Sequence, residues 1–170
     1  VEVSGPFLTE PVLNEAFELG LNAIEPYKRR RIRSTYEEWE RCVEEQDPCL
    51  EEIHLAWVEE VLAGALEFDQ RVFKAAKDIG PSLQVQLAEH QVTLRPDFAL
   101  VDRSEQGNGL FIVSVVGPTV DLDETRLLDG YAATPLEQMV SLLKGIGLPL
   151  GMVTNGERWC LVYAPEGKPV

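Results

Sequence analysis

One aspartate carries the most specific chemistry in this sequence. Asp97 follows a proline and precedes the apolar residues Phe98, Ala99 and Leu100, so a carboxylate stands at the start of an apolar segment. A carboxylate in such a place can hold Mg²⁺ together with a second acid about one hairpin away. The ion then orients a water molecule and stabilises the leaving oxygen of a phosphodiester, and a nearby lysine commonly assists. Asp97 is therefore the candidate metal ligand and catalytic residue.

Asp97 also has a purely structural interpretation, and both interpretations stay open here. An aspartate that follows a proline can cap a turn, or it can pair with the neighbouring cation Arg95. The Pro-Asp pair is a weak signal by itself. Its weight depends on the elements that follow it along the chain.

Short β-branched and apolar runs after residue 80 predict strands. The run at residues 110–116 is apolar almost throughout, which is typical of a central strand covered on both faces. Asn155 and Gly156 indicate the turn of a final hairpin. The predicted strands are residues 83–89, 94–101, 110–116, 150–154 and 158–163.

A helix is predicted between the third and the fourth of these strands. Thr134 is its expected N-cap, Pro135 occupies the first helical position, and the helix is expected to end near Gly145 to Gly147. A helix in this place implies a crossover connection. We therefore predict the α/β fold class, with a mixed central sheet of about five strands flanked by helices.

The first 80 residues have a helical pattern. One helix is predicted after Thr9, a second after a cap at Ser34 or Thr35, and a third from Leu50 to Lys77. We expect a single domain over residues 1–164, with a helical part at 1–80 and a core that contains the sheet at 81–164. Residues 165–170 are expected to begin a linker to a further region.

The order of these elements resembles the PD-(D/E)XK, or restriction-endonuclease-like, nuclease superfamily. The shared features are an aspartate before a strand, a hairpin, an apolar strand, a helix and a final hairpin. The segment Val153–Trp159 resembles in particular the nuclease-like domains at the amino ends of bacterial restriction-modification and phage-defence proteins, some of which also carry an adenine methyltransferase. The resemblance covers residues 50–163, and it implies a DNA partner and, in an active member, Mg²⁺.

The resemblance assigns particular positions to the active centre. Asp97 matches the first metal-binding acid, whereas Ser114 and Val116 stand where the second acid and the lysine are expected. Serine is a poor Mg²⁺ ligand, and valine neither coordinates a metal nor donates a hydrogen bond. We therefore expect a degenerate site in a domain that positions DNA or acts as a scaffold, with other domains of the same polypeptide or defence-system subunits as partners.

An active Mg²⁺-dependent endonuclease with relocated residues is the alternative. Glu137 and Lys144 lie seven residues apart on one face of the predicted helix, where some superfamily members place an acid or a lysine. The helix dipole favours an acid at Glu137 in any case. The other acids within conceivable reach are Asp121, Asp123, Glu59 and Glu60.

Three residues are candidates for contacts with DNA. Gln138 resembles a glutamine that many relatives place on this helix beside the site, and Arg95 and Arg158 supply positive charge. Convergence of Arg95, Arg158, Arg126 and Lys144 on Asp97 would favour a nucleic-acid site, whereas scattered cations would favour an adaptor.

The overall charge opposes binding to phosphate backbones. Fifteen basic and 29 acidic residues give a net charge of −14. Residues 37–60 contain ten acids and one base, whereas residues 28–33 contain five cations. These cations either contact phosphate or pair with the nearby acids. A third interpretation is consequently an acidic protein-interaction module that binds a basic partner.

The sequence shows no feature of membrane insertion or export. No run approaches the roughly 18 apolar residues of a membrane-spanning helix. The first residues lack the basic start and apolar core of a signal peptide. We therefore expect a cytoplasmic protein without a membrane partner.

Overall fold

A computed structural model describes residues 10–17, 23–87, 89, 91–104, 107–128 and 130–165. The predicted cap Thr9 and nearly all of the predicted linker lie outside these residues. Within them, no helix is long and apolar enough to cross a membrane. The helices are α1 (Glu10–Ala16), α2 (Pro26–Glu45), α3 (Leu50–Glu59) and α4 (Pro135–Ile146).

The described residues form nine strands, and five of these make up the central sheet. The other four form two separate hairpins, β2 with β3 and β6 with β7. The strands are β1 (Phe73–Ala75), β2 (Val85–Leu87), β3 (Val92–Leu94), β4 (Phe98–Val101), β5 (Gly109–Val115), β6 (Arg126–Leu128), β7 (Tyr131–Ala133), β8 (Leu150–Thr154) and β9 (Trp159–Tyr163).

The central sheet has the order β1-β4-β5-β8-β9. Its neighbours are antiparallel except for β5 and β8, which run parallel because α4 carries the chain back across the sheet. The prediction of a mixed sheet of about five strands flanked by helices is confirmed. The apolar run at 110–116 lies in the middle of the sheet, as its composition indicates.

The sheet separates two hydrophobic cores. On one face α4 packs through Met139, Leu142 and Leu143 against Ile112 and its neighbours. On the other face α2 and α3 pack against the strand residues that point away from α4. There Trp39, Trp57 and Val58 form one hydrophobic cluster with Phe98 and Val113. Ile112 and Val113 are both buried because β5 is covered on both sides.

The capping signals of α4 are confirmed. The Thr134 hydroxyl accepts a hydrogen bond from the Glu137 amide at 3.1 Å, and the Glu137 carboxylate accepts one from the Thr134 amide at 2.8 Å. This reciprocal arrangement is a capping box. The helix ends at Gly147, whose φ of 73° a residue with a Cβ rarely adopts.

The second helix begins earlier than its sequence pattern predicts. Pro26 occupies the first turn of α2, whereas Ser34 and Thr35 lie inside the helix. The Thr35 hydroxyl donates to the Arg31 carbonyl at 3.0 Å, so a residue expected to cap a helix bonds back to the preceding turn instead. The basic run at 28–33 is therefore helical.

The third helix ends earlier than predicted. α3 passes into a π-helical turn, Glu60–Ala65, and Glu67 then takes a left-handed conformation with φ of 56°. The predicted extension to Lys77 is wrong because residues 73–75 pair with β4 as the edge strand β1. Strand pairing with residues distant in sequence overrides the local helical pattern.

Two further boundaries differ from the predictions. The predicted strand 94–101 is divided at Pro96 and Asp97 between β3 and β4, because proline has no N–H group to donate to a strand ladder. The predicted strand 83–89 is shorter, since Leu83 belongs to a 3₁₀ turn. The hairpin formed by β6 and β7 was not predicted.

Candidate functional site

Asp97 lies where the chain enters β4, beside the middle of the sheet. Pro96 is fully buried before it. The Asp97 amide donates to the Val113 carbonyl at 2.9 Å, and its side-chain oxygen Oδ2 accepts from the Val115 amide at 2.7 Å. These two bonds bracket Ser114. The carboxylate and the strand that contains Ser114 are therefore adjacent.

A cavity of about 170 Å³ opens beside this pair. Its polar lining includes Arg95, Asp97, Ser114 and Gln138, and its apolar lining includes Val116. Five residues that the sequence singles out for the active centre or for DNA contact thus face one cavity between the sheet and α4. Their individual roles stay predictions.

Burial raises the pKa of the Asp97 carboxyl above its ordinary value. The hydrogen bond from the Val115 amide and the charge of Arg95 oppose this rise but do not cancel it. A carboxyl group with few donors in a half-buried place is costly to ionise. Asp97 is consequently a poorly compensated acid in the cavity wall.

The lining of the cavity does not fit Mg²⁺. Among the described residues that line it, Asp97 is the only carboxylate, and Ser114 and Val116 occupy the flanking positions. No group of three or more His, Cys, Asp or Glu residues suited to hold a metal occurs in the described part of the chain. Mg²⁺ bound by protein usually requires one or two carboxylates together with further oxygen ligands in octahedral geometry.

The two residues that the alternative places in the active centre, Glu137 and Lys144, are absent from the described lining of the cavity. The Glu137 carboxylate takes part in the capping box, and the hydrogen bond from the Thr134 backbone lowers its pKa. An acid held in this way is already occupied in stabilising a helix end.

The proposed DNA contacts lie in different places. Arg95 and Gln138 line the cavity, and the Gln138 amide reaches the Ala133 carbonyl at 3.5 Å. Arg158 instead forms ion pairs with Asp121 at 3.0 Å and Asp123 at 2.8 Å. Of the four cations whose convergence would favour a nucleic-acid site, only Arg95 lines the described cavity wall.

The basic run of α2 pairs with acids of the same chain. Arg31 contacts Glu60 at 2.6 Å, and Arg33 contacts Glu37 at 2.9 Å. Lys28 pairs with Glu67. At least three of its five cations are therefore already paired within the molecule, which was one of the two interpretations of this run.

A second polar cluster joins α2 and α3 to the sheet, and we call it the junction. It consists of Trp39, His54, Trp57, Gly156 and the carbonyl of Val116. The Trp39 indole donates to His54 Nδ1 at 3.0 Å, His54 Nε2 donates to the Val116 carbonyl at 2.8 Å, and the Trp57 indole donates to the Gly156 carbonyl at 2.8 Å. Burial lowers the pKa of His54. His54 is therefore a packed imidazole whose two ring nitrogens both have partners.

The sequence reasoning missed two parts of these sites. Leu128 of β6 lines the cavity, and its hairpin was overlooked although Asp129 and Gly130 form a dipeptide typical of hairpin turns. The acceptors of the junction were also missed. Val116 and Gly156 lie 62 and 99 residues from their donors, so no local pattern points to them.

Comparison of this chain with protein-family models, with curated proteins and with solved structures finds no match. The fold and the geometry of the cavity and the junction are therefore the features that bear on function. The cavity is the part of this geometry that bears on chemistry, because polar and apolar groups converge in it beside an acid with a raised pKa.

Proposed function

We propose that this chain is a restriction-endonuclease-like domain that does not cleave DNA and serves as a scaffold within a bacterial restriction-modification or phage-defence protein. The mixed sheet, the crossover through α4 and the place of Asp97 at the start of β4 agree with this superfamily. The coarse architecture alone occurs in many α/β proteins. The proposal therefore depends on the position of one acid and of its missing partners.

The observation that carries the proposal is the pair formed by Asp97 and Ser114. The Asp97 carboxylate accepts a hydrogen bond from the amide of Val115, which directly follows Ser114. Ser114 stands at the position where the resemblance requires a second acid. Val116, which also lines the cavity, stands at the place of the lysine. A nuclease-type centre with these substitutions keeps its backbone arrangement but lacks the second carboxylate and the cation that metal-dependent hydrolysis uses.

The distribution of cations favours a scaffold over DNA positioning. Arg31, Arg33 and Arg158 are each within 3.0 Å of a carboxylate of the same chain. The formal net charge of −14 repels phosphate over longer distances. Contacts with other domains of the polypeptide or with defence-system subunits avoid this repulsion, because they bring no phosphate groups close to the chain.

Cleavage and metal binding test the proposal together. We expect the purified chain to leave supercoiled and linear DNA intact with Mg²⁺ or Mn²⁺. Calorimetric titration of Mg²⁺ should give the same heats for the native chain and for Asp97→Ala. Cleavage that Asp97→Ala abolishes, or a binding heat that depends on Asp97, would contradict the proposal.

A further inference from the structure

A groove runs between α2 and α3 on the side away from the Asp97 cavity. It encloses about 160 Å³, and Trp39, Trp57, Ile53 and Ala56 line most of it. Both indole N–H groups donate elsewhere, to His54 and to the Gly156 carbonyl. The indoles therefore offer carbon surface to the groove, and its floor is suited to an apolar side chain.

Acidic residues border this groove along both helices. Glu38 lines it directly. Glu45 follows Glu38 by seven residues on α2, and Glu52 and Glu59 are seven residues apart on α3, on either side of Ala56. Seven residues are two helical turns, about 10 Å along the axis, so each pair keeps to one side of its helix. These four glutamates are called the acidic rim.

The acidic rim carries more negative than positive charge among the described residues, since Arg41 is the cation that lies between Glu38 and Glu45 on the same side of α2. All four glutamates are exposed, and none of them takes part in an ion pair within the described ranges. Arg31 and Arg33 are engaged elsewhere, with Glu60 and Glu37, so Arg41 alone offsets part of the rim on α2, and no cation of α3 faces Glu52 and Glu59. The groove therefore combines an apolar floor with a net negative charge along its borders, which is strongest on the α3 side.

We propose that this groove binds a basic amphipathic helix of a partner protein. An apolar side chain of that helix enters the space between Trp39, Trp57 and Ile53. Lysine or arginine side chains seven residues apart on the same helix face the acidic rim. This is helix-in-groove recognition, in which apolar anchors supply affinity and charges set orientation and association rate.

Charge disfavours the two other obvious occupants. A second copy of this chain would bring a further net charge of −14 against the rim, and nucleic acid would bring phosphates. Only a partner of opposite charge gains from the rim. The inference does not depend on the state of the Asp97 cavity, so it stands or falls separately from the proposed function.

The test uses the full 170-residue chain and a synthetic 18-residue peptide with leucines along one face and lysines along both flanks. Binding is followed by calorimetry and by indole fluorescence. We expect saturable binding with a stoichiometry near one and an affinity that falls with added salt. A peptide with alanine in place of each leucine should bind at least about tenfold more weakly, because the apolar anchors are lost.

Two matched double variants separate the groove from diffuse attraction. Glu38→Lys with Glu52→Lys reverses two rim charges, and we expect affinity to fall by about tenfold or more. Glu44→Lys with Glu51→Lys changes the net charge equally. Glu44 lies roughly 120° around its helix from Glu38, and Glu51 roughly 140° from Ala56, so the effect there should stay below about threefold.

Specific outcomes would overturn the inference. These are an equal loss of affinity in the two double variants, equal binding of the leucine and alanine peptides, or no saturable binding. Self-association of the chain that Glu38→Lys with Glu52→Lys alters would show that a second copy occupies the groove instead. Each result is read from binding or mass, whereas the proposed function is read from DNA cleavage and metal heats.

Discussion

In the junction and in the Asp97 cavity, a titratable side chain lies beside the end of β5, but its hydrogen bonding differs between the two regions. At the junction, both ring nitrogens of His54 have hydrogen-bond partners. At the cavity, Asp97 has one amide donor for Oδ2, and burial raises its pKa. Val116 belongs to both regions, since its carbonyl accepts from His54 and its side chain lines the cavity.

This difference separates a structural cluster from a site. A buried polar group with all its hydrogen bonds made contributes to a unique packing and needs no ligand. A carboxyl group that is only partly compensated, next to open space, costs stability and is typical of places that serve or once served chemistry. The two regions should therefore respond differently to substitution and to pH.

The largest expected effect is at Gly156 in the junction. A Cβ at this residue would lie 2.8 Å from His54 Cε1 and 2.9 Å from Trp39 Cζ2, and its φ is 88°. We expect Gly156→Ala to lower the free energy of unfolding by roughly 3 kcal/mol, because overpacking is added to backbone strain. Urea denaturation measures the loss.

Gly130 provides the matched control for this prediction. It also has a φ of 88°, but a Cβ there would meet nothing within 4 Å. Gly130→Ala should therefore cost only about 1 kcal/mol, from backbone strain alone. Equal losses in the two variants would show that the close approach of His54 and Trp39 is unimportant.

The second effect is a loss of stability in mild acid. Burial lowers the pKa of His54 in the folded state, so in mild acid this histidine is protonated more readily in the unfolded chain than in the folded chain. The free energy of unfolding should therefore fall as the pH drops below about 6.5, with a slope of up to about 1.4 kcal/mol per pH unit. Urea denaturation between pH 7.5 and 5.5 gives this slope.

The chain has one other histidine, His90, which serves as the control. His54→Gln should remove the slope, whereas His90→Gln should preserve it. If the slope survives His54→Gln, the titrating group lies elsewhere and the junction is not the acid-sensitive element.

The smallest effect has the opposite sign and concerns Asp97. The folded state holds a proton on Asp97 more tightly than the unfolded state, so ionisation of this group costs stability as the pH rises through its raised pKa. Asp97→Asn keeps an oxygen for the Val115 amide and removes the charge. We expect Asp97→Asn to raise the free energy of unfolding at pH 7 by an amount on the order of 1 kcal/mol.

Asp102 is the counterpart for this experiment. Hydrogen bonds from the Ser104 and Asn108 side chains lower the pKa of Asp102, so its ionised form is the stabilised one. Asp102→Asn should therefore destabilise the chain where Asp97→Asn stabilises it. Destabilisation in both variants would mean that Asp97 is a structural turn residue rather than a poorly compensated acid.

The predictable parts of this fold are the ones that depend on local chemistry. Thr134 and Pro135 mark the start of α4 through capping, and Asn155 with Gly156 marks the final hairpin turn. In both cases the determining residues are within a few positions of the feature. The place of Asp97 beside β5 was expected instead from the resemblance to the nuclease superfamily, because the Pro-Asp pair is a weak signal by itself.

The remaining parts depend on pairing between distant residues. β1 forms because Phe73 lies opposite Leu100, and no pattern near residue 73 indicates that partner. The end of α3 depends on a π-helical turn and on the left-handed Glu67, a conformation that glutamate seldom adopts. The bond from the Val115 amide to Asp97 depends on the register of β4 against β5, which the sequence leaves open.

The most direct measurement of the central claim is a Mn²⁺ titration by calorimetry on four proteins: the native chain, Ser114→Asp, Ser114→Asp with Asp97→Ala, and Leu110→Asp. The last variant adds the same charge at the exposed beginning of β5. If Asp97 and Ser114 are neighbours in a nuclease-type centre that lacks its second acid, only Ser114→Asp binds the ion. Binding by the native chain that requires Asp97, or binding by Ser114→Asp that survives Asp97→Ala, would contradict the account.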